Sequence, residues 1–229
     1  MNEALRNAAR RADLIGMCPK EAADILLDQG SVRMFERGAT VFSAGAPAQH
    51  VFVIMAGWVK LYSVSARGQE AVINVLGPGQ TIGDAAVLGA PAHMVHAEAT
   101  TRVQALQLPV SLVLSLMDRS PETRGAILAG ARAHLNALVR EIEMLKLRDG
   151  AQRAARFLLS LLPPGQGGAC DVRLPYDKVV IAGRIGMSPE SLSRAFARLR
   201  NRGVTVEGNT ARIADTHDLS RFCDLCETE

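Results

Sequence analysis

The sequence predicts an α+β protein: an N-terminal antiparallel β-roll, a long helix, and a C-terminal winged helix-turn-helix. Three observations carry this. Between about residues 31 and 108, short runs rich in Val, Ile, Phe and Tyr alternate with glycines. From Leu128 to Leu145 apolar residues recur every three or four positions. Beyond a Pro- and Gly-rich stretch, two short helical segments flank Gly186-Met187-Ser188, and a hairpin signal follows. Of the 229 residues 48% are hydrophobic and 21% charged, which is globular. The predicted division is 1–109 for helices and roll, 110–148 for the long-helix region, and 149–229 for the winged helix-turn-helix.

The composition excludes several classes. The longest apolar run, Val51 to Val59, is the length of a strand and not of a membrane span. The N-terminal MNEALRNAARRADL alternates charge with small apolar residues and lacks a secretory hydrophobic region, so a cytoplasmic protein with no membrane partner is expected. Cys18, Cys170, Cys223 and Cys226 are too scattered for a disulfide framework.

Leu14, Ile25 and Leu26 have helical spacing, with Pro19 as a start and Gly30 as a stop, so residues 1–30 should form short helices. Thr40–Phe42, Val51–Met55, Val59–Val64, Ala71–Val75 and Val103–Leu108 then read as strands. Turn residues between them indicate an antiparallel sandwich or roll. The stripe Leu128, Ala131, Leu135, Leu138, Ile142, Leu145 has a/d spacing. It suits packing on the chain's own domain, or a homodimer coiled coil, which the flanking Arg132, Arg140, Glu141, Glu143 and Lys146 favour. Arg148-Asp149-Gly150 breaks the stripe as a hinge. AQRAARFLLSLL (151–162) is a further amphipathic helix, closed by the loop from Pro163 to Gly168.

Two helices, about Asp177–Ile185 and Pro189–Arg200, then stand at helix-turn-helix spacing. Gly186 suits a left-handed exit, Ser188 a cap, and Pro189 the first helical position. Glu190, Ser193, Arg194 and Arg198 share one face, while Leu192, Phe196 and Leu199 share the other. The first face suits reading of base edges, Arg taking guanine and Glu accepting from cytosine. An acidic side chain beside phosphates is unfavourable unless a base amino group or a neighbouring Arg answers it, so Glu190 beside Arg194 points to sequence-specific contact. Ser188 and Ser191, with Arg184, Arg200 and Arg202, suit phosphates. From Lys178 to Arg212 seven basic residues face two acidic ones, a surplus of 7 − 2 = +5 against +3 for the whole chain. Such a surplus implies a polyanionic partner. Gly203–Ile213, with Gly208-Asn209 at its centre, completes a winged helix.

Over residues 12 to 215 the chain resembles the CRP/FNR superfamily of bacterial transcription regulators. The markers are Gly38 with Gly45, Val53-Ile54-Met55 with Gly57, Val59-Lys60-Leu61-Tyr62, Gly68-Gln69-Glu70, Gly79, Ile82-Gly83-Asp84, and MSPESLSRAFARLR from Met187. The resemblance implies a cyclic-nucleotide-binding-like jelly roll and a homodimer on palindromic double-stranded DNA. It also implies an activator that contacts RNA polymerase. Glu190, Ser193 and Arg194 are similar to the FNR branch, which reads TTGAT half-sites; Ser188, Ser191 and Arg198 would support them.

The sensor departs from the family pattern. Cyclic-nucleotide-binding members carry Gly-Glu and, further along, Arg-Ser or Arg-Thr to meet the phosphate. Here Asp84 replaces the Glu, the later stretch is His93-Met94-Val95-His96, and the long helix presents Leu138 and Val139. Iron-sulfur members need several N-terminal cysteines, whereas Cys18 stands alone in the first 169 residues.

GWVKLYSVSARGQEAVINV and EIEMLKLRDGAQRAARFLLSLL resemble the Dnr-type nitric oxide regulators. That implies haem between roll and long helix, with His50, His93, His96 or His134 as axial ligand. The effector pocket is expected to comprise Gly83, Asp84, His93, His96, His134 and Leu138, and to take a small-molecule or gas effector. The alternatives are a cyclic-nucleotide-responsive regulator or a β-roll without DNA function, holding a ligand or a metal at His93, His96 and Glu98. Cys223 and Cys226 read as a dangling pair of tail thiols, with Cys170 and the tail open as a thiol switch.

Overall fold

A computed structural model describes residues 3–163 and 165–224. It divides into two compact units, the first ending at Asn136 and the second beginning at Ala137.

The first unit opens with α1 (Glu3–Arg10), α2 (Asp13–Gly16) and α3 (Lys20–Gln29). Eight strands follow: β1 (Ser31–Phe35), β2 (Thr40–Phe42), β3 (His50–Ala56), β4 (Val59–Val64), β5 (Glu70–Leu76), β6 (Thr81–Ile82), β7 (His96–Ala99) and β8 (Val103–Pro109). They form two antiparallel sheets in the orders β1-β8-β3-β6 and β2-β7-β4-β5, a jelly roll.

Strand β3 shows why the run at Val51 is continuously apolar. Phe52 and Ile54 point between the sheets, toward Val59, Leu76, Ile82 and Ala105. Val51, Val53 and Met55 pack with Leu14, Ile15, Leu26 and Leu27 of the N-terminal helices. A strand buried on both faces loses its apolar–polar alternation. Each such side chain contributes about 1.5–3 kcal/mol relative to an exposed one.

Strands β1, β6 and β7 lie outside the five runs legible as strands in the sequence. β1 is largely exposed at a sheet edge, β6 has two residues, and β7 (HAEA) lacks β-branched residues, so none shows the usual strand signature. After α4 (Val110–Arg119), Ser120 accepts a hydrogen bond from the Thr123 amide at 3.0 Å, and Pro121 starts α5 (Pro121–Leu147).

The second unit holds the end of α5 and then α6 (Gly150–Ser160), β9 (Cys170–Arg173), α7 (Lys178–Arg184), α8 (Pro189–Leu199), β10 (Val204–Glu207), β11 (Thr210–Ile213) and α9 (Thr216–Asp224). Asp149 is a restart between two helices. Its carboxylate accepts from the Gln152 amide at 2.8 Å while the Gln152 side chain accepts from the Asp149 amide at 3.0 Å, a reciprocal capping box. The wing is a β10–β11 hairpin with Glu207 opposite Thr210, and β9 extends it to three strands. Leu158, Ile181, Leu192, Leu199, Ile213 and Leu219 form its fully buried centre.

Cys223 does not dangle: α9 carries it into the domain interior, where only 3% of its surface is accessible and its Sγ lies 3.8 Å from the Gln152 carbonyl. The helical spacing of Thr216, Leu219, Phe222 and Cys223 was the signal for this packing. Cys226 lies outside the described residues.

Candidate functional site

The polar face of α8 is built by its own amino end. The Ser188 hydroxyl accepts from the Ser191 amide at 3.2 Å, and Pro189 supplies the fixed φ of a first turn. Gly186 has φ +65° there, and a Cβ on it would lie 2.6 Å from Leu145 Cδ2. The turn therefore needs glycine for both conformation and space.

Leu192, Ala195, Phe196 and Leu199 are buried beneath the helix. Glu190, Ser193, Arg194 and Arg198 are exposed on the other side. The hydrogen bond to Ser188, reinforced by the helix-end amide of Glu190 and by Arg194, holds the Glu190 carboxyl below the usual carboxylate range. Arg194 donates to the Ser191 hydroxyl at 3.0 Å, and Ser193 donates to the Pro189 carbonyl at 3.0 Å. An exposed anion and cation are thus held one helical turn apart.

Other basic residues are committed to the domain. Arg198 donates to Asp149 at 2.6 Å, so the residue that caps α6 also contacts α8. Arg212 pairs with Asp171 at 3.3 Å. Arg184 donates to the hydroxyl of the buried Tyr176 at 2.7 Å and lies over the Phe157 ring. Asp149 and Tyr176 were the residues the sequence reading missed; the Asp149-x-x-Gln152 capping pattern was a signal for the first.

In the roll, Gly83 leaves β6 with φ +80°, and a Cβ there would lie 3.0 Å from the His50 carbonyl and 3.3 Å from His93 Cε1. His93 stacks on Phe42, ring centroids 3.8 Å apart, and burial lowers its pKa. Asp84, the next residue after Gly83, lies 2.8 Å from His134 Nδ1 on α5. Gly83, Asp84, His93 and His134 are accordingly neighbours by linked contacts.

His96 belongs elsewhere: it stacks on Tyr62 at 5.1 Å and its Nδ1 accepts from the Ala44 amide at 3.3 Å. Glu98 pairs with Lys60 at 3.2 Å. Leu138 is half-buried and belongs to the second unit. Among the described residues no group of three His, Cys, Asp or Glu could hold a metal ion, so His93, His96 and Glu98 are not gathered as ligands.

On α5, Leu128, Leu135, Ile142 and Leu145 are 49%, 61%, 53% and 41% exposed, while Ala131 and Leu138 are half-buried. Most of the stripe is therefore not consumed by packing within one chain. Among the described residues no helix is long and apolar enough to cross a membrane.

This fold and this helix face define a winged-helix regulator carrying a cyclic-nucleotide-binding type of roll. Residues 32–120 match the cyclic nucleotide-binding domain family, and residues 152–222 the Crp-like helix-turn-helix domain family. A candidate cyclic nucleotide binding protein from Ruegeria pomeroyi, known as a crystal structure, is 44% identical, covers 97% of this chain and 98% of its own, and has a TM-score of 0.73. The structure of DNR from Pseudomonas aeruginosa is 26% identical, with coverage of 97% and 99% and a TM-score of 0.54. The CRP-like cAMP-activated global transcriptional regulator of Mycobacterium tuberculosis is 27% identical over 82% of this chain and 85% of its own. The chain belongs to the CRP/FNR family of DNA-binding transcription regulators and is not an enzyme.

Proposed function

We propose that the protein is a homodimeric regulator that reads an FNR-like palindrome with TTGAT half-sites, Glu190, Ser193 and Arg194 contacting base edges. The observation that carries this is the exposed pair Glu190 and Arg194, held one turn apart on a helix whose other face is buried. Ser188 and Ser191 serve phosphates, and Arg198 supports them once its pair with Asp149 opens. The exposed Leu128, Leu135, Ile142 and Leu145 supply the seam for a second copy, with Ala131 and Leu138 at its margins. Two-fold symmetry then sets half-sites about 34 Å apart. As an activator it would present RNA polymerase with this bound dimer.

The effector reading centres on Asp84 and His134. A metal-ligating imidazole commonly donates its other nitrogen to a carboxylate, which fixes its tautomer. Of the four histidines considered, His134 has that arrangement, with Asp84 as acceptor. Haem held at His134 and sensing nitric oxide is the reading this supports. When bound, haem would supply an iron coordination site for the gas; His134 would hold it and Asp84 would orient His134. A cyclic nucleotide is the second reading, favoured by the resemblance to the Ruegeria protein. Against it, the segment from Asp84 to His96 contains no Arg or Lys to meet a phosphate.

Two measurements test these readings. Fluorescence anisotropy with a palindromic TTGAT duplex should show tight binding that falls steeply with salt and exceeds binding to a scrambled duplex. Equal affinities for the two duplexes would overturn the base-reading role. An anaerobic visible spectrum after haem supplementation should show a stoichiometric Soret band that nitric oxide shifts and that His134→Ala removes. A featureless spectrum, with saturable binding of cyclic AMP, would transfer the sensor to the second reading.

A further inference from the structure

The second unit contains a cleft that the DNA-reading face does not use. It has a volume of about 190 Å³ and lies between the end of α5, α6 and α9. Met144 and Leu147 form an apolar wall, and the buried Gln152 and Cys223 line it from α6 and α9. Arg140, Arg148 and Arg156 contribute three guanidinium groups against one carboxylate, Glu143, a local balance of 3 − 1 = +2.

The arginines most open to a ligand are not occupied by the fold. Arg140 and Arg156 are exposed, and among the described residues neither has a hydrogen bond or ion pair. This contrasts with Arg184, Arg198 and Arg212, which bond to Tyr176, Asp149 and Asp171 within the same unit. Guanidinium groups offer paired donors that match phosphate oxygens. A cleft with a surplus of one sign of charge concentrates counter-ions beyond what the same charges achieve on a flat surface. The volume suits a small molecule, below the usual range for drug-sized ligands.

We infer that the cleft lined by Arg140, Arg148 and Arg156 is a binding site for a small phosphate-bearing molecule, separate from the DNA face and from the sensor of the roll. Because its arginines stand on both sides of the Arg148-Asp149 break, an occupant ties the end of α5 to α6. The helix α6 is the one whose cap, Asp149, also holds Arg198 of α8. Occupancy is therefore expected to stiffen the mounting of the recognition helix.

The test is isothermal titration of the full-length protein with inorganic pyrophosphate at constant ionic strength. Saturable binding of one pyrophosphate per chain is expected, weakened at least tenfold in the Arg140→Ala/Arg156→Ala variant. Arg194→Ala should bind it as the parent does, since that residue lies on the DNA face. Both substituted arginines are exposed, and an unchanged circular dichroism melt confirms that the variant folds. Protein saturated with operator duplex should still take up the probe. No saturable binding, equal binding by the double variant, loss in Arg194→Ala, or displacement by operator DNA would each overturn the proposal; the last two would assign the phosphate contact to nucleic acid.

Discussion

The polar face of α8 and the Gly83–Asp84 corner of the roll each combine an acidic with a basic side chain, yet the two pairs are arranged oppositely. On α8, Glu190 and Arg194 are exposed, and their local hydrogen bonds to serines leave both charged groups facing outward. In the roll, Asp84 is already engaged by His134, and His93 lies flat on Phe42. The first arrangement is prepared to meet an external partner without rearrangement. The second has its polar groups satisfied by the chain itself, so an incoming ligand must offer more than it displaces.

The sharpest way to break this comparison is to disrupt the proposed seam between two copies of α5. Leu135→Glu with Ile142→Glu places charges on a stripe whose members are 61% and 53% exposed in the single chain, so each protomer should still fold. Sedimentation velocity should then show monomer, and operator affinity should fall by roughly a hundredfold or more as the second half-site contact is lost. An intact dimer would show that the exposed stripe is not the seam.

Within one reader, Arg194→Ala should weaken the cognate duplex by about 1–3 kcal/mol and flatten discrimination against single-base variants of the half-site. His134→Phe should leave the affinity of effector-free protein for the same duplex close to the parent value. If both substitutions weakened DNA binding alike, the open and closed regions would not be functionally distinct.

How much of each region was legible follows from its range in sequence. The α8 face rests on contacts within a few residues: Ser188 with Ser191, Ser191 with Arg194, and Pro189 with Ser193. Helical periodicity and capping chemistry therefore predict it. The roll corner depends on Asp84 meeting His134 fifty residues later, and on His93, in the loop before β7, meeting Phe42 of β2. No local pattern encodes those pairings, and the short spacing of His93 and His96 does not reveal that His96 stacks on Tyr62. The same limit applies to Arg184, whose partner Tyr176 lies before α7, whereas the burial of Cys223 was signalled by the helical spacing of α9.

A smaller effect is expected where the fold supports the reader indirectly. Asp149→Ala removes both the α6 cap and the partner of Arg198. It should lower the stability of the winged-helix domain by about 1 kcal/mol, within the range of cap deletions. The ion pair is partly exposed and adds little. Chemical denaturation measures the loss, while cognate affinity at saturating stability should change by less than in Arg194→Ala. A larger loss of affinity than of stability would promote Asp149 from supporting α6 to orienting α8.

The smallest predicted effects concern protonation, and they separate the regions most directly. The Ser188 hydroxyl and the helix-end amide lower the Glu190 pKa, and burial lowers that of His93. The same direction has opposite consequences for charge. Glu190 stays anionic further into acid than a free carboxylate, which titrates near about 4.3, whereas His93 stays neutral below the ordinary imidazole value of about 6.5. For both groups the contribution to folding is present above the unfolded pKa and is lost as pH falls through the lowered folded value. Between pH 7 and about 5 the α8 face should therefore keep its charge pattern, while His93 charges late and weakens its seat on Phe42. A proton NMR titration of His93 Cε1–H should give a midpoint below the free value, and Phe42→Leu should raise it toward that value by thinning the apolar cover. A midpoint at or above the free value would mean that the imidazole is not held neutral, and that the corner is as open to solvent and charge as the polar face of α8.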